Sequence, residues 1–261
     1  MNRSTLKRVA NAIVGETAAY KLARLVEKKD PKEVEADLAR QRFYGTFVKK
    51  GDLCFDVGAN VGNRVGPLLS VGARVVAVEP QPGCQRVLRL RFGKRITVVP
   101  KGLATKEGTM QMHLSENHVL SSFSKEWIDA VKSARFNNTN WDKTITVPMT
   151  TLDTLIAEHG RPHFIKIDVE GFETEVLGGL TSPVPWISFE YTVPEQSDKA
   201  VACVEIIHRN DPSARFNYSK GESMVVALDQ WMSAAEMITH ITGDVFRSSG
   251  FGDIYARGAG H

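Results

Sequence analysis

The sequence predicts an α/β protein built on a mostly parallel β-sheet, and three observations support this fold class. Short apolar segments alternate along the chain with segments of helical periodicity, which is typical of βαβ units. A glycine-rich turn at residues 56–62 separates the first predicted strand from the helix that follows it. Carboxylates stand at the ends of four predicted strands, namely Asp56, Glu79, Asp168 and Glu190. Ligands of such sheets bind beyond the carboxyl ends of the strands, so we expect one shared site there.

The first 48 residues are predicted to form a helical extension. Residues 4–28 place apolar side chains at spacings of three and four, as in an amphipathic helix. Asp30 and Pro31 then end that helix and start a second one, at about 31–48, which carries Val34, Leu38, Phe43 and Phe47. We expect residues 1–48 to cap the sheet or contact another subunit, and 49–261 to form the main domain. The alternative is that the basic first helix lies on a membrane surface.

The main domain is predicted as strands and helices in alternation. Gly66-Pro67 falls inside the first predicted helix and favours a kink or a late start. Residues 101–108 are predicted as a turn. The polar stretch 115–143 is predicted as a lid or binding loop around a short helix, or else as a disordered connection. Strands are predicted at 52–57, 74–79, 95–99, 109–114, 144–149, 163–168, 186–191, 214–218, 223–228 and 253–257. Helices are predicted at 61–70, 82–91, 125–134, 170–178, 197–209 and 233–242, and a further helix is predicted to start at about residue 151.

Composition and charge exclude several classes of protein. Apolar residues make up 42% of the chain and charged residues 24%, which is ordinary for a globular domain. The net charge is +3, but residues 1–30 hold seven Lys and Arg against three acidic residues, so the main domain is not basic and a nucleic-acid partner is not indicated. Three cysteines without framework spacing favour the cytoplasm. We expect neither a transmembrane segment nor a signal peptide.

The glycine turn and the next strand end together indicate the ligand. The turn lacks two of the three glycines of a dinucleotide fingerprint, and the chain has no phosphate-binding P-loop. Glu79 follows the turn by about twenty residues, where a carboxylate accepts both hydroxyls of a ribose. Asp56 would repel pyrophosphate but suits an ammonium group. An adenosyl group that carries an amino acid meets both conditions, which predicts S-adenosylmethionine.

These motifs resemble those of the FkbM-type methyltransferases. The resemblance covers roughly residues 50–192 and rests on four motifs in order: DVGANVG at 56–62, VEP at 78–80, TLD at 151–153 and KIDVEG at 166–171. It implies a Rossmann-like class I methyltransferase fold, with a seven-stranded sheet whose last strand is antiparallel and helices on both faces. It also implies methyl transfer from S-adenosylmethionine to a hydroxyl of a sugar, polyketide or similar metabolite.

The resemblance implies a set of cofactor-binding residues. Asp56, Gly58 and Asn60 would border the methionine part, Glu79 the ribose, and the turn that begins at Lys101 the adenine. Two features depart from the expected pattern: the adenine-side turn has no Asp or Asn, and Arg64 follows the glycine turn. The complete predicted set is Asp56, Gly58, Ala59, Asn60, Gly62, Glu79, Pro80, Lys101, Gly102, Leu103 and Asp168.

Transfer to a hydroxyl requires a base, and four residues are candidates for catalysis. Asp168 is the first choice because its strand borders the cofactor cleft, although it could instead cap the following helix. Lys166 alternates with Asp168 along the strand and reaches the same face, or forms a structural ion pair with Asp56 or Asp168. Glu190 faces the acceptor or lies on a solvated rim. His118, in the polar loop, contacts substrate or is simply solvated.

No metal site is predicted, because His113, His118 and His163 lack a ligand spacing. Glu170 is left with three roles: helix cap, metal ligand or substrate contact. The sequence therefore predicts an S-adenosylmethionine-dependent O-methyltransferase that acts on a small-molecule or glycan hydroxyl. The alternatives are a cofactor-binding module without catalysis, and an enzyme that methylates a lipid-linked glycan at the membrane surface. A homodimer and peripheral membrane contact are further expectations.

Overall fold

The structure is a computed structural model, and it describes residues 30–115, 118–134 and 139–258. The helix predicted at 4–28 lies outside the described residues. Within them, strands and helices alternate as the sequence predicts.

A seven-stranded sheet forms the centre of the fold. Its strand order is β3-β2-β1-β7-β8-β10-β9. The strands from β3 to β8 run parallel to their neighbours, whereas β10 is antiparallel to both β8 and β9. The predicted seven-stranded, mostly parallel sheet is therefore confirmed. The strand bounds are β1 Leu53–Val57, β2 Arg74–Val78, β3 Ile96–Val99, β7 Phe164–Ile167, β8 Trp186–Thr192, β9 Arg215–Lys220 and β10 Phe251–Arg257.

A second, three-stranded sheet was not predicted. It consists of β4 (Gly102–Leu103), β5 (Gly108–Leu114) and β6 (Lys143–Thr150) in the order β4-β6-β5. The strands predicted at 109–114 and 144–149 are present, and they pair with each other rather than joining the main sheet. The turn predicted at 101–108 is partly wrong, because Gly102 and Leu103 pair with the end of β6.

The helices follow the predicted order with changed ends. The first helix of the main domain starts late, at Val65, as its Gly-Pro pair indicates. The helix predicted at 170–178 covers only Glu173–Leu177. No helix among the described residues could cross a membrane. The helices are α1 Pro31–Tyr44, α2 Val65–Ser70, α3 Pro82–Phe92, α4 Lys125–Ala134, α5 Leu152–His159, α6 Glu173–Leu177, α7 Ser197–Asn210, α8 Ala234–Thr242 and α9 Asp244–Arg247.

The strand predicted at 223–228 is wrong, because this segment contains no strand, and at its end an asparagine of β9 binds the backbone of Leu228. Asn217 Nδ2 donates to the carbonyl of Leu228, at 2.8 Å, and its Oδ1 accepts from the N–H of Leu228, at 3.1 Å. The side chain thus takes the backbone groups that a strand would use in a ladder.

Helix α1 packs on the main sheet through its C-terminal end. Tyr44, Phe47 and Val48 belong to a buried cluster that includes Phe164 of β7 and Trp186 of β8. The predicted cap is therefore confirmed for this helix. In the first half of the helix, Val34 is 42% exposed and Leu38 is 47% exposed, so these two side chains are not part of the core.

Candidate active site

A cavity of about 230 Å³ opens at the carboxyl edge of the parallel strands. Asp56, Glu79, Asp168 and Glu190 all line it. Because parallel neighbours end at the same edge, residues separated by up to 134 positions in the chain meet there. The structure thus brings the four predicted strand-end carboxylates into one site.

The glycine turn lies against the ends of two strands. Gly58 has a φ of +80°, and a Cβ at this position would lie 1.8 Å from the carbonyl oxygen of Asp168. The N–H groups of Gly58 and Ala59 both donate to the carbonyl of Val78. Only glycine allows this approach, so the turn can form one wall of the cavity. Gly58, Ala59 and Asn60 line the cavity as predicted, whereas Gly62 faces Leu88 and Phe92 instead.

Asp56 is a buried carboxylate with an unused acceptor. Its side chain is 1% exposed, and Oδ2 has no hydrogen-bond partner among the described residues. Burial raises the pKa of Asp56 to about 7, although Lys166 and Arg64 oppose this shift. An unpaired buried carboxylate oxygen is costly, so the site favours a ligand that brings a positively charged donor.

Glu79 connects the turn to the second strand. Its two oxygens accept from the N–H groups of Asn60, at 2.8 Å, and Gln81, at 2.7 Å. Burial raises its pKa to about 7, and the two backbone hydrogen bonds oppose this shift. A carboxylate has about four acceptor positions, so Glu79 retains capacity for ligand hydroxyls.

Part of the cavity wall is apolar. The predicted residues Pro80, Lys101, Gly102 and Leu103 line it. Three apolar side chains that the sequence did not indicate join them: Met112, Phe123 and Phe172. Phe123 belongs to the predicted lid, and its ring centroid lies 5.5 Å from that of Phe172. Apolar walls of this kind suit an adenine ring.

Lys166 lies behind the cavity rather than in its wall. Its Nζ is 2.7 Å from Oδ1 of Asp253 and 3.3 Å from Oδ2 of Asp168. Although burial lowers the pKa of Lys166, the two carboxylates raise it above its ordinary value. The predicted ion pair with Asp168 is present, and the main partner, Asp253 in β10, was not predicted. Lys166 is fully buried and contacts Asp168 from the side of the sheet.

Asp168 does not cap a helix, so that alternative is wrong. Helix α6 starts five residues later, at Glu173, and Phe172 is its N-cap. The side chain of Glu173 instead accepts from the N–H groups of Val169 and Gly171 and closes the turn. The carboxylate of Asp168 remains available to the cavity, with 28% of its side chain exposed.

Three carboxylates form a compact cluster in the cavity. Asp168, Glu170 and Glu190 each offer one oxygen, and these atoms lie within 4.8 Å of one another. Burial, reinforced by neighbouring carboxylates, raises the pKa of Glu170 and of Glu190 well above the ordinary value. Such a group shares protons, or holds a hard divalent cation, which prefers oxygen ligands. No metal site was predicted from the spacing of the histidines, and this cluster contains only carboxylates.

His118 contacts residues of the site through its backbone carbonyl. The residue lines the cavity, and its carbonyl accepts from Asn60 Nδ2, at 3.4 Å, and Gln81 Nε2, at 3.0 Å. These bonds tie the predicted lid to the glycine turn and the second strand end. Three charged residues that were not assigned to the site also line the cavity: Arg40, Arg64 and Glu222.

Comparison with solved structures gives methyltransferases at low identity. The precorrin-6y C5,15-methyltransferase of Geobacter metallireducens is 12% identical, with a TM-score of 0.44 over 86% of this chain and 87% of that one. The O-methyltransferase of Bacillus cereus in complex with SAH is 13% identical, with a TM-score of 0.39 over 97% and 96%. Because these similarities are low, the fold is assigned from the strand order of the main sheet.

Comparison of sequences identifies the family. The hexuronic acid methyltransferase AglP of Haloferax volcanii is 28% identical over 146 residues, which are 54% of this chain. The match spans about half of that relative, 55% of its length. A family model described as the methyltransferase FkbM domain matches residues 56–237. The predicted family is thereby confirmed, and the chain belongs to the FkbM methyltransferase family.

Proposed function

We propose that this protein transfers a methyl group from S-adenosylmethionine to a hydroxyl of a sugar or similar metabolite. The observation that carries the proposal is Asp56, a buried carboxylate with a free acceptor at the end of β1. It suits the ammonium of the methionine part, next to the glycine turn. The sugar acceptor is supported by the relative described as a hexuronic acid methyltransferase.

The chemistry of the lining residues supports this cofactor. The Glu79 carboxylate would accept the ribose hydroxyls, and the apolar side chains of Leu103, Met112 and Phe123 would pack against the adenine. Asp168, Glu170 and Glu190 lie at the ends of β7 and β8, on the side left for an acceptor. S-adenosylmethionine supplies a methyl group that its sulfonium has already activated.

The acceptor hydroxyl must lose a proton, and the carboxylate cluster is placed to take it. We assign this role to Asp168, whose charge is balanced by Lys166 Nζ at 3.3 Å. Glu170 and Glu190, with their raised pKa values, are better suited to donate hydrogen bonds to the acceptor. His118 and Glu190 are the alternative bases.

Calorimetry with S-adenosylhomocysteine, followed by mass spectrometry of a hydroxylated acceptor library, tests the proposal. We expect the wild type to bind the cofactor product and to add one methyl group to a sugar. Glu79→Ala should weaken cofactor binding at least about tenfold, because it removes charge-assisted hydrogen bonds. Glu158→Ala is the control, since Glu158 is exposed and lies outside the cavity.

Asp168→Asn separates binding from chemistry. It should keep cofactor affinity and lose turnover, because the amide cannot accept the proton. An active variant would move the role to Glu190 or His118. If the wild type does not bind S-adenosylhomocysteine, the proposal fails; binding without turnover on any acceptor favours a module without catalysis.

We further propose that the protein is cytoplasmic and that its N-terminal helices contact a second subunit or a membrane surface. The exposed Val34 and Leu38, four residues apart on α1, are an apolar surface that a second subunit or a membrane could cover. The buried free cysteines Cys54, Cys84 and Cys203 favour the cytoplasm. Liposome flotation with and without residues 1–29, and light scattering of the full chain, test these proposals and the division at residue 48.

A further inference from the structure

Two arginines converge on one carboxylate at the rim of the cavity. Arg64, at the start of α2, forms a two-point contact with Glu222, with Nη1–Oε2 and Nη2–Oε1 both 2.7 Å. Arg40, in α1, reaches the same carboxylate through Nη2 at 3.1 Å. All three residues line the cavity, although they come from three distant parts of the chain.

The two sides of this contact differ in how firmly they are held. The Arg64 side chain is 10% exposed and that of Arg40 is 14% exposed, whereas that of Glu222 is 52% exposed. Asp253, a second carboxylate near Arg64, lies 3.9 Å away and is already paired with Lys166 at 2.7 Å. Arg40 Nε has no hydrogen-bond partner among the described residues. Glu222 is therefore the exposed partner of this contact, and the two guanidinium groups are the buried ones.

We propose that Arg40 and Arg64 form a carboxylate-binding subsite, in which the ligand carboxylate takes the place of the Glu222 carboxylate. A guanidinium binds carboxylates through two parallel hydrogen bonds, and the exchange leaves the local charge unchanged. The inference rests on the proposed function.

The position of the subsite favours the methionine carboxylate of the cofactor as its occupant. Arg64 comes two residues after the glycine turn, and Asp56 lines the same cavity. Asp56 and the arginine pair together would recognise both charges of an amino acid. A carboxylate on the acceptor has the same chemistry, so the test includes both sources.

The test compares two ligands on two variants. S-adenosylhomocysteine carries the amino acid, and 5′-methylthioadenosine lacks it. Arg40→Gln should weaken the binding of S-adenosylhomocysteine about 10- to 100-fold and should change the affinity for 5′-methylthioadenosine by less than about twofold. Glu222→Gln should strengthen the binding of S-adenosylhomocysteine, because it removes the competing carboxylate. A purely structural role for the ion pair would weaken S-adenosylhomocysteine binding in both variants, so the opposite signs are diagnostic.

A second comparison identifies the source of the carboxylate. Glucuronate and glucose are titrated into protein saturated with S-adenosylhomocysteine. If Arg40→Gln weakens the binding of glucuronate alone, the subsite belongs to the acceptor. If neither variant changes the affinity for any ligand by more than about twofold, the inference is overturned. A wild type that binds neither adenosyl ligand would instead overturn the proposed function.

Discussion

At the scale of single residues, two buried aspartates show how the surroundings set the sign of a pKa shift. Burial tends to raise the pKa of both Asp56 and Asp253. Asp253 accepts from Lys166 Nζ and from Tyr255, and its pKa falls below the ordinary value. Asp56 has an oxygen with no such partner, and its pKa rises to about 7. One aspartate is therefore suited to stability and the other to a ligand.

Asp56→Asn should stabilise the protein without ligand, increasingly so as the pH rises. The folded-state pKa of Asp56 is about 7, above the unfolded value. Between about pH 4 and pH 7 the folded wild type holds more protons than the unfolded chain, so its stability falls as the pH rises. The free energy of unfolding of the variant does not fall in this way. Above pH 7 it should exceed that of the wild type by at most about 4 kcal/mol. Urea unfolding at several pH values measures it.

Asp253→Asn is the matched control with the opposite sign. Asp253 has a lowered folded-state pKa, so its contribution to stability is present above the unfolded value and is lost as the pH falls. This variant should be less stable than the wild type at neutral pH, because Lys166 loses its nearest partner. An Asp56→Asn advantage that does not change with pH would contradict the account of Asp56.

The residues that sequence reasoning found and missed differ in the range of their contacts. Asp56, Glu79, Asp168 and Glu190 were predictable, because a strand end followed by a carboxylate is a local pattern. The pairing of Asp253 with Lys166 spans 87 residues, and that of Glu222 with Arg64 spans 158. No local pattern encodes such pairs; they depend on the strand order and on the path of the segment after β9.

At the scale of elements, turn geometry accounts for the wrong boundary of α6. Glu170 has a φ of +55° and Gly171 a φ of +83°. Two left-handed residues cannot belong to an α-helix, so the helix predicted from residue 170 begins at Glu173. A steric contact also requires glycine at position 171, because a Cβ there would lie 2.5 Å from the Trp127 side chain. The sequence showed that a glycine was present but not which side chain it faced.

Gly58→Ala should be strongly destabilising, because the turn at Gly58 touches the end of β7. The new Cβ would lie 1.8 Å from the carbonyl oxygen of Asp168, at a positive φ. Relief requires the turn and the strand end to separate, at a cost of about 3 kcal/mol or more. Cofactor affinity should fall with it. Thermal unfolding and S-adenosylhomocysteine titration measure the two effects.

Gly83→Ala serves as the control for that substitution. Gly83 lies in helix α3, and a Cβ there meets no atom within 4 Å. It should be neutral or stabilise the protein by up to about 1 kcal/mol, because alanine favours the helix. Equal effects of the two substitutions would show that the contact between Gly58 and Asp168 does not constrain the fold.

At the scale of the whole molecule, a segment outside the region that the family model matches lines part of the cavity and packs in the core. That region begins at residue 56, whereas α1 ends at Tyr44. Arg40 of this helix lines the cavity, and Tyr44 and Phe47 pack in the core beneath the sheet. The part of the extension that the structure describes therefore contributes to both the stability and the site of the domain.

Phe47→Ala should destabilise the whole domain, although Phe47 lies outside the matched region. Its ring stacks on Trp186 at a centroid distance of 4.2 Å and meets Phe164 edge-on at 5.2 Å. Removing a buried ring of this kind costs about 3–5 kcal/mol. Leu38→Ala, in α1 and 47% exposed, should change stability by less than about 0.5 kcal/mol. Urea unfolding measures both variants, and a Phe47→Ala loss no larger than that of Leu38→Ala would mean that the extension is a separable appendage.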